Sequence, residues 1–440
     1  MRLLPLLFLL LCLNLSTTAT AQTGDPQPDT GTPRAGDPQP DTATPRAGDL
    51  LPEWREGYLD IHHINTGRGD AAFLILPDGT TLLIDAGDNS MRDHLERFQL
   101  MMMDHKPDNS RQPAEWIARY IQRRLSGRRE PRIDYALITH FHSDHMGGLY
   151  PGVKSSSRGS WKISGITEIA EHLPIGKLLD RGWPDYNWPQ PLESDYILNY
   201  RQFLEWQTAE GGTTVERFQP GRRDQITLLH QPKAYPEFEI RNIAANGEVW
   251  TGVAENTRLH VPPLDHLAEA DYPPENMTSI VIRLSYGKFD YYTGGDLFGL
   301  PAPGAPLWHD METPVARAVG PVDVHVLNHH GYHDAANNFF LETLRPRVHI
   351  IHAEVASHPG QRVLSRLLST RLYSGERDIF ATNVKEETKA VYDNTGGINS
   401  PYGHIVIRVE PGGESYQIYT LDDSSEENRI KARFGPYQSR

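Results

Sequence analysis

Three histidines and an aspartate fall within the six residues His140-Phe-His142-Ser-Asp144-His145. Imidazole nitrogen and carboxylate oxygen are donors that suit zinc, manganese and iron alike. Side chains two apart in extended backbone point the same way, so His140 and His142 can grip one ion. Asp144 and His145, on the turn that follows, can face a neighbouring ion. Gly147-Gly148 lets the next segment begin hard against the site without side-chain collision. Two ions about 3.5–4 Å apart are the usual arrangement for hydrolysis, because a bridging water loses its proton near neutral pH and attacks. A carboxylate must hold such a pair, and Asp296 is the natural candidate.

These residues need a frame that gathers them. Residues 58–65 read as a strand, 72–76 and 80–84 as a hairpin, and 113–125 as a helix. Further strands are expected at 135–139, 175–179, 279–285, 289–293, 322–327, 348–352 and 404–409. Asp85, His140, Asp180, Asp296 and His329 each stand where one of these apolar runs stops. Loops leaving one edge of a sheet converge, so side chains at those stops can share a pocket. Strands in hairpins that alternate with helices predict an α/β sandwich rather than a doubly wound sheet.

The motif His140-x-His142-x-Asp144-His145, with Asp85 in Leu82-Leu83-Ile84-Asp85-Ala86-Gly87, resembles the metallo-β-lactamase superfamily. The closer resemblance is to the branch of the ComEC-like competence hydrolase domains and the phosphorylcholine esterase-like proteins. It is carried by the loop Gly67-Arg68-Gly69-Asp70, by Asn276 and Ser279 ahead of Gly295-Asp296, and by His329-His330-Gly331. It covers roughly residues 57–360. The resemblance implies a four-layer αββα sandwich with two divalent metal ions, zinc foremost, with manganese or iron as alternatives. It implies that His140 and His142 hold the first ion, that Asp144, His145 and His329 hold the second, and that Asp296 bridges. His330 would contact the oxyanion or phosphate of the substrate, and Asp85 would orient the ligand loop. Asp85, Asp144 and His330 are thus the expected catalytic residues. Asp180 is the expected remaining ligand of the first ion, with His172 as the alternative.

Composition narrows the setting. Acidic residues outnumber basic ones, 57 to 43, for a net charge of −14. No large basic surface is expected, so nucleic acid is not the favoured substrate. Residues 1–21 read as an export signal, with Arg2, an apolar run of about 13 residues and Ala19-Thr20-Ala21, which is shorter than a membrane-spanning helix needs. No later run is long enough to span, so no transmembrane segment is expected in the mature chain. An exported chain, periplasmic or secreted, follows. The single cysteine, Cys12, would leave with that signal, so metal ligands must be nitrogen and oxygen. Residues 24–35 and 36–47 are a near-perfect tandem repeat without large apolar side chains, so 22–53 is expected to be a disordered linker. The hydrolase domain is then expected over 54–425, with an insertion at about 150–275 and a polar tail at 426–440.

Weaker signals have ordinary readings. Arg68-Gly69-Asp70 is read as part of the glycine loop rather than as an adhesion tripeptide. The aromatic run 183–188 can wall a substrate pocket or simply pack its loop, and His358 and His404 can line the pocket or serve as ordinary core histidines. Together these features predict an exported dinuclear metal hydrolase of phosphodiester or related ester bonds, acting on a small-molecule or polymer-linked ester. A β-lactam hydrolase and a non-catalytic metal-binding scaffold are the alternatives. Oligomeric state is not readable from the sequence.

Overall fold

Every residue of the strands Thr81–Ile84 and Ile133–Leu137 is buried, and all but Thr81 and Asp134 are apolar. Such runs belong to parallel strands covered on both faces. The computed structural model, which describes residues 45–440, places them in a nine-stranded sheet. Its order is Ile430–Gln438, Ser415–Leu421, His404–Val409, Leu59–His63, Ala72–Ile75, Thr81–Ile84, Ile133–Leu137, Ile175–Asp180 and Thr214–Arg217. The last four strands are parallel to one another. A second, eight-stranded sheet runs Asp378–Ala381, Val348–Ile351, Val324–Val326, Phe289–Thr293, Val281–Tyr286, Phe238–Ala245, Glu248–Trp250 and Thr257–Leu259. Its first four strands are likewise parallel.

The two sheets bury one face against each other through Leu82, Ile84, Leu137 and Leu179 on one side and Ile282, Tyr291, Val324 and Ile350 on the other. The outward residues Leu83, Ala136 and Leu178 pack on helices. Pro113–Arg124 is one of these, begun by a proline whose missing N–H costs nothing at the first turn. Its buried Ala114, Ile117, Ala118 and Ile121 fall at helical spacing and form its inner stripe. Helices Glu312–Val319, Asn338–Leu344 and Gln361–Leu367 cover the second sheet in the same way. The layers are helices, sheet, sheet, helices, as expected.

Three expected boundaries differ from what the structure shows. Residues 426–440 are not a tail: Ile430–Gln438 pairs with Ser415–Leu421 as an edge strand. Its lysine, arginine and proline are what exposed edge strands carry. The end of the expected linker is also built into the domain, since Leu50 pairs with Arg429 and Leu51 is buried against Val406 and Ile430. The stretch 150–275 contributes strands to both sheets and is no separate insertion. The export signal and the repeats up to residue 44 lie outside the described residues. Among the described residues, no helix is long and apolar enough to cross a membrane.

One charge pair ties the middle of the first sheet. Arg408 donates to Asp60 through Nε at 2.8 Å and Nη2 at 2.6 Å, and both side chains are buried. Removing one partner of a buried pair strands the other without water. Arg408→Ala should therefore lower the unfolding free energy by about 3–5 kcal/mol in a denaturant titration. The double change Asp60→Val with Arg408→Met should recover most of that loss.

Candidate metal centre

The parallel strands of both sheets end at a common rim, and their ends deliver the reactive groups. Thr81–Ile84 leads to Asp85, Ile133–Leu137 to His140, Phe289–Thr293 to Asp296, Val324–Val326 to His329 and His330, and Val348–Ile351 to Glu354. The short helix Ser143–Met146 carries Asp144 and His145. Its backbone is clamped from outside: Asp70 N–H donates to the Asp144 carbonyl, Ala86 N–H to that of His145 and Asp88 N–H to that of Ser143, at 2.8–2.9 Å. A Cβ on Gly69 or Gly87 would lie 2.3 or 2.1 Å from the Asp144 carbonyl oxygen. Only glycine lets these two loops come that close.

Of the three groups of ligand atoms that result among the described residues, two share Asp296, and the third is His330, Glu354 and His358. His140, His142 and Asp296 form one, and Asp144, His145, His330 and Asp296 form the other, with ligand atoms within 4.8 Å of one another in each. His145 Nε2 is 3.0 Å from Asp296 Oδ1, while His330 Nε2 is 3.4 Å from Asp296 Oδ2 and 3.6 Å from Asp144 Oδ2. His140 Nε2 and His142 Nδ1 are only 3.1 Å apart. Behind the imidazoles stand carboxylates: Asp85 is 2.8 Å from His145 Nδ1, Asp70 is 3.0 Å from His330 Nδ1, and Asp334 is 2.7 Å from His329 Nδ1. A carboxylate on one ring nitrogen fixes the tautomer and leaves the other nitrogen free to bind a metal. Among the described residues, buried His145 Nε2, both ring nitrogens of His330 and Asp296 Oδ1 have no hydrogen bond of good geometry, although ionic contacts surround them. The donor set fits a pair of divalent cations.

The electrostatics follow from crowding. Burial pushes the Asp296 carboxyl up, but His145, His330 and His329 overcome it and hold it well below the usual carboxylate range. Burial likewise opposes charge on His330, yet Asp296 and Asp70 raise it well above an ordinary imidazole. His140 goes the other way, lowered by burial and then by His145. Asp70, despite burial, is brought down to about 2 by His352 and His330. The backbone is constrained too: Asp85, His329 and His330 have φ of 59°, 49° and 54°, in the left-handed region that side chains avoid.

Residues 65–218 match the family model of the metallo-beta-lactamase superfamily. The two sheets and their covering helices are an α/β sandwich of that type, and Asp296 and His330 come from the second sheet, beyond the matched residues. No curated protein matches the sequence. A solved structure of a CmlA beta-hydroxylase mutant covers 80% of this chain at 14% identity, with a TM-score of 0.36. This chain spans about half of that one, 54%, and so loose a likeness carries no functional argument.

Within this site, two expected ligands fall elsewhere. Asp180 ends its strand as expected, but its carboxylate accepts from Gly182 N–H, Trp183 N–H, Tyr186 Oη and Tyr200 Oη at 2.6–3.0 Å. It pins the following loop and joins neither ligand group. Its alternative, His172, sits in the last turn of helix Ile166–His172, also outside both groups. His329 and His330 exchange their expected places. Two successive left-handed residues turn the chain so that the second ring reaches Asp144 and Asp296. The first ring rests on Asp334 and Asn276, with Nε2 3.8 Å from Asp296. Asp85 accepts from the Thr139 N–H at 2.8 Å and lies 2.8 Å from His145 Nδ1.

The aromatic run is loop packing in part: buried Tyr186 serves Asp180, while Trp188 packs against the second sheet's outer core. Arg68 is buried, with Nη1 on the Gly67 and Met103 carbonyls, so the tripeptide is no exposed adhesion signal. His404 accepts from the Asn65 N–H, whereas His358 stacks on His330 at 4.6 Å. The sequence reading gave no role to Asp334, Glu354 or Arg92. Asp70 was visible only as the last letter of a glycine loop.

Asp85→Asn and Asp70→Asn should each weaken zinc affinity by about 10–100-fold in a chelator competition. Asp180→Asn should leave the bound-metal stoichiometry unchanged while lowering thermal stability.

Proposed function

We propose that the chain is a metal-dependent hydrolase of phosphodiester or related ester bonds. The observation that carries this reading is the pair of ligand groups joined through Asp296. When bound, two divalent cations supply Lewis acidity and an activated water near neutral pH. Their identity is proposed as zinc, with manganese or iron able to use the same donors. The chain's own residues hold and aim the parts. His140 and His142 present nitrogen on one side of Asp296, while Asp144, His145 and His330 complete the other side. Asp85 keeps one of those imidazoles, His145, in a single tautomer, and Asp70 faces Nδ1 of another, His330, at 3.0 Å.

His329 and Asn276 meet at 3.1 Å beside Asp296, and His329 lines the adjoining cleft. They are placed to hydrogen-bond a substrate oxygen on which charge grows during attack. The sandwich supplies rigidity, since Asp85, His140, Asp296 and His330 follow strand ends and Asp144 and His145 ride on the clamped helix Ser143–Met146. An ester on a small molecule or a polymer is the proposed substrate, and the apolar N-terminus supports export of the chain to the periplasm or beyond.

The test is a screen of purified, metal-analysed protein against bis(p-nitrophenyl) phosphate and nitrocefin. Turnover of the phosphodiester, lost on treatment with EDTA and restored by zinc or manganese, is the expected result. Asp296→Ala should lose both metal and turnover, because it removes a donor from each group at once. Turnover of nitrocefin alone would assign β-lactam hydrolysis instead, and retained metal with no turnover of either would leave a scaffold.

A further inference from the structure

Beside Asp144 lies a cleft of about 220 Å³ whose walls differ sharply in chemistry. His329, His330 and Asp144 form the polar part, and Phe98, Met101 and Val355 form an apolar part. Arg92 is the one lysine or arginine among the residues that line it. Its Nη1 is 2.8 Å from Glu354 and its Nη2 is 4.0 Å from Asp144 Oδ2. Its guanidinium lies 5.1 Å from the Phe98 ring, and the side chain remains 30% exposed. A cation within reach of a dinuclear centre is suited to the charge of an anionic ester.

The apolar wall is fixed rather than loose. Ala356 N–H donates to the Met101 carbonyl and Met103 N–H to that of Glu354, tying residues 101–103 to the loop after Val348–Ile351. The segment leading into this wall leaves large apolar side chains in water. Leu95, Leu100 and Met101 are 38%, 88% and 37% exposed, all within residues 95–101. Single exposed leucines are ordinary. A run of them continuous with the lining of a charged cleft marks a surface that something apolar covers.

We propose that this cleft selects anionic esters bearing a flexible alkyl group, with Arg92 taking the charge and Phe98, Met101 and Val355 the alkyl chain. The unbranched methionine side chain adapts to such a chain better than to a rigid ring or a sugar. The inference rests on the phosphodiester reading above and names the class of substrate within it. Each methylene that leaves water favours binding by roughly fourfold. Even partial burial of an octyl chain on this wall should thus exceed a tenfold effect.

The full-length, zinc-loaded protein is assayed with methyl and octyl p-nitrophenyl phosphate below micelle-forming concentrations. In parallel, methyl phosphate and octyl phosphate are titrated calorimetrically. The octyl ester should be preferred at least tenfold in kcat/KM, chiefly through KM, and octyl phosphate should bind at least tenfold tighter. The double variant Phe98→Ser, Met101→Ser should bring both ratios toward one. Arg92→Gln should weaken both phosphates by a similar factor. Ratios within twofold of one in the unaltered protein overturn the proposal, as does an octyl preference that survives the double variant. Failure to turn over either ester overturns the hydrolase reading instead, and the calorimetric ratio then decides the cleft by itself.

Discussion

Everything at the rim depends on one desolvated carboxylate. Asp296 is buried among four imidazoles, and in three of them, His145, His329 and His330, the far nitrogen faces a further carboxylate. Withdrawn from water, such an acid is tolerable only when positive charge faces it. The surrounding acids, Asp85, Asp70 and Asp334, sustain that charge from behind, so the centre is an alternating lattice of anions and imidazoles. Remove the middle and the outer members lose their reason to be buried. The clamp of glycine loops on residues 143–145 belongs to the same constraint, because the lattice works only if His145 and Asp144 cannot drift.

The fold meets that constraint by aligning strand ends. In both sheets the strands that carry the site run parallel, so their carboxyl ends fall on one side. A sandwich brings two such rims within a side chain's length of each other. Groups more than a hundred residues apart in sequence, His140 and Asp296 among them, thereby come within 3.8 Å.

Much of this was legible in the sequence, and the reasons are physical. Strands buried on both faces read as unbroken apolar runs, and a polar residue at the stop marks the rim. That is why the hairpins, the helix from Pro113 and the positions of Asp85, His140 and Asp296 could be anticipated. The same reasoning misled at Asp180, because a strand-end acid looks identical whether its oxygens face a cation or four internal donors. Two tyrosines settle the matter there, and nothing in their spacing announces it. His329 and His330 traded places because left-handed backbone at two successive residues is a tertiary outcome, not a local preference. The edge strand at Ile430–Gln438 was taken for a tail since a charged, proline-bearing edge strand has the composition of one. Asp70, Asp334 and Glu354 had no signal of their own, because support for a ligand is a matter of proximity rather than of pattern.

A shared aspartate has a thermodynamic corollary. Because Asp296 belongs to both ligand groups, a cation held by one group would change the free energy of filling the other, and by reciprocity the influence would be equal in both directions. The two halves therefore have no separate affinities, only a joint loading curve. The position of a molecule along that curve depends on how much free metal the surroundings offer, so the population of half-filled molecules would be set by the compartment as well as by the protein.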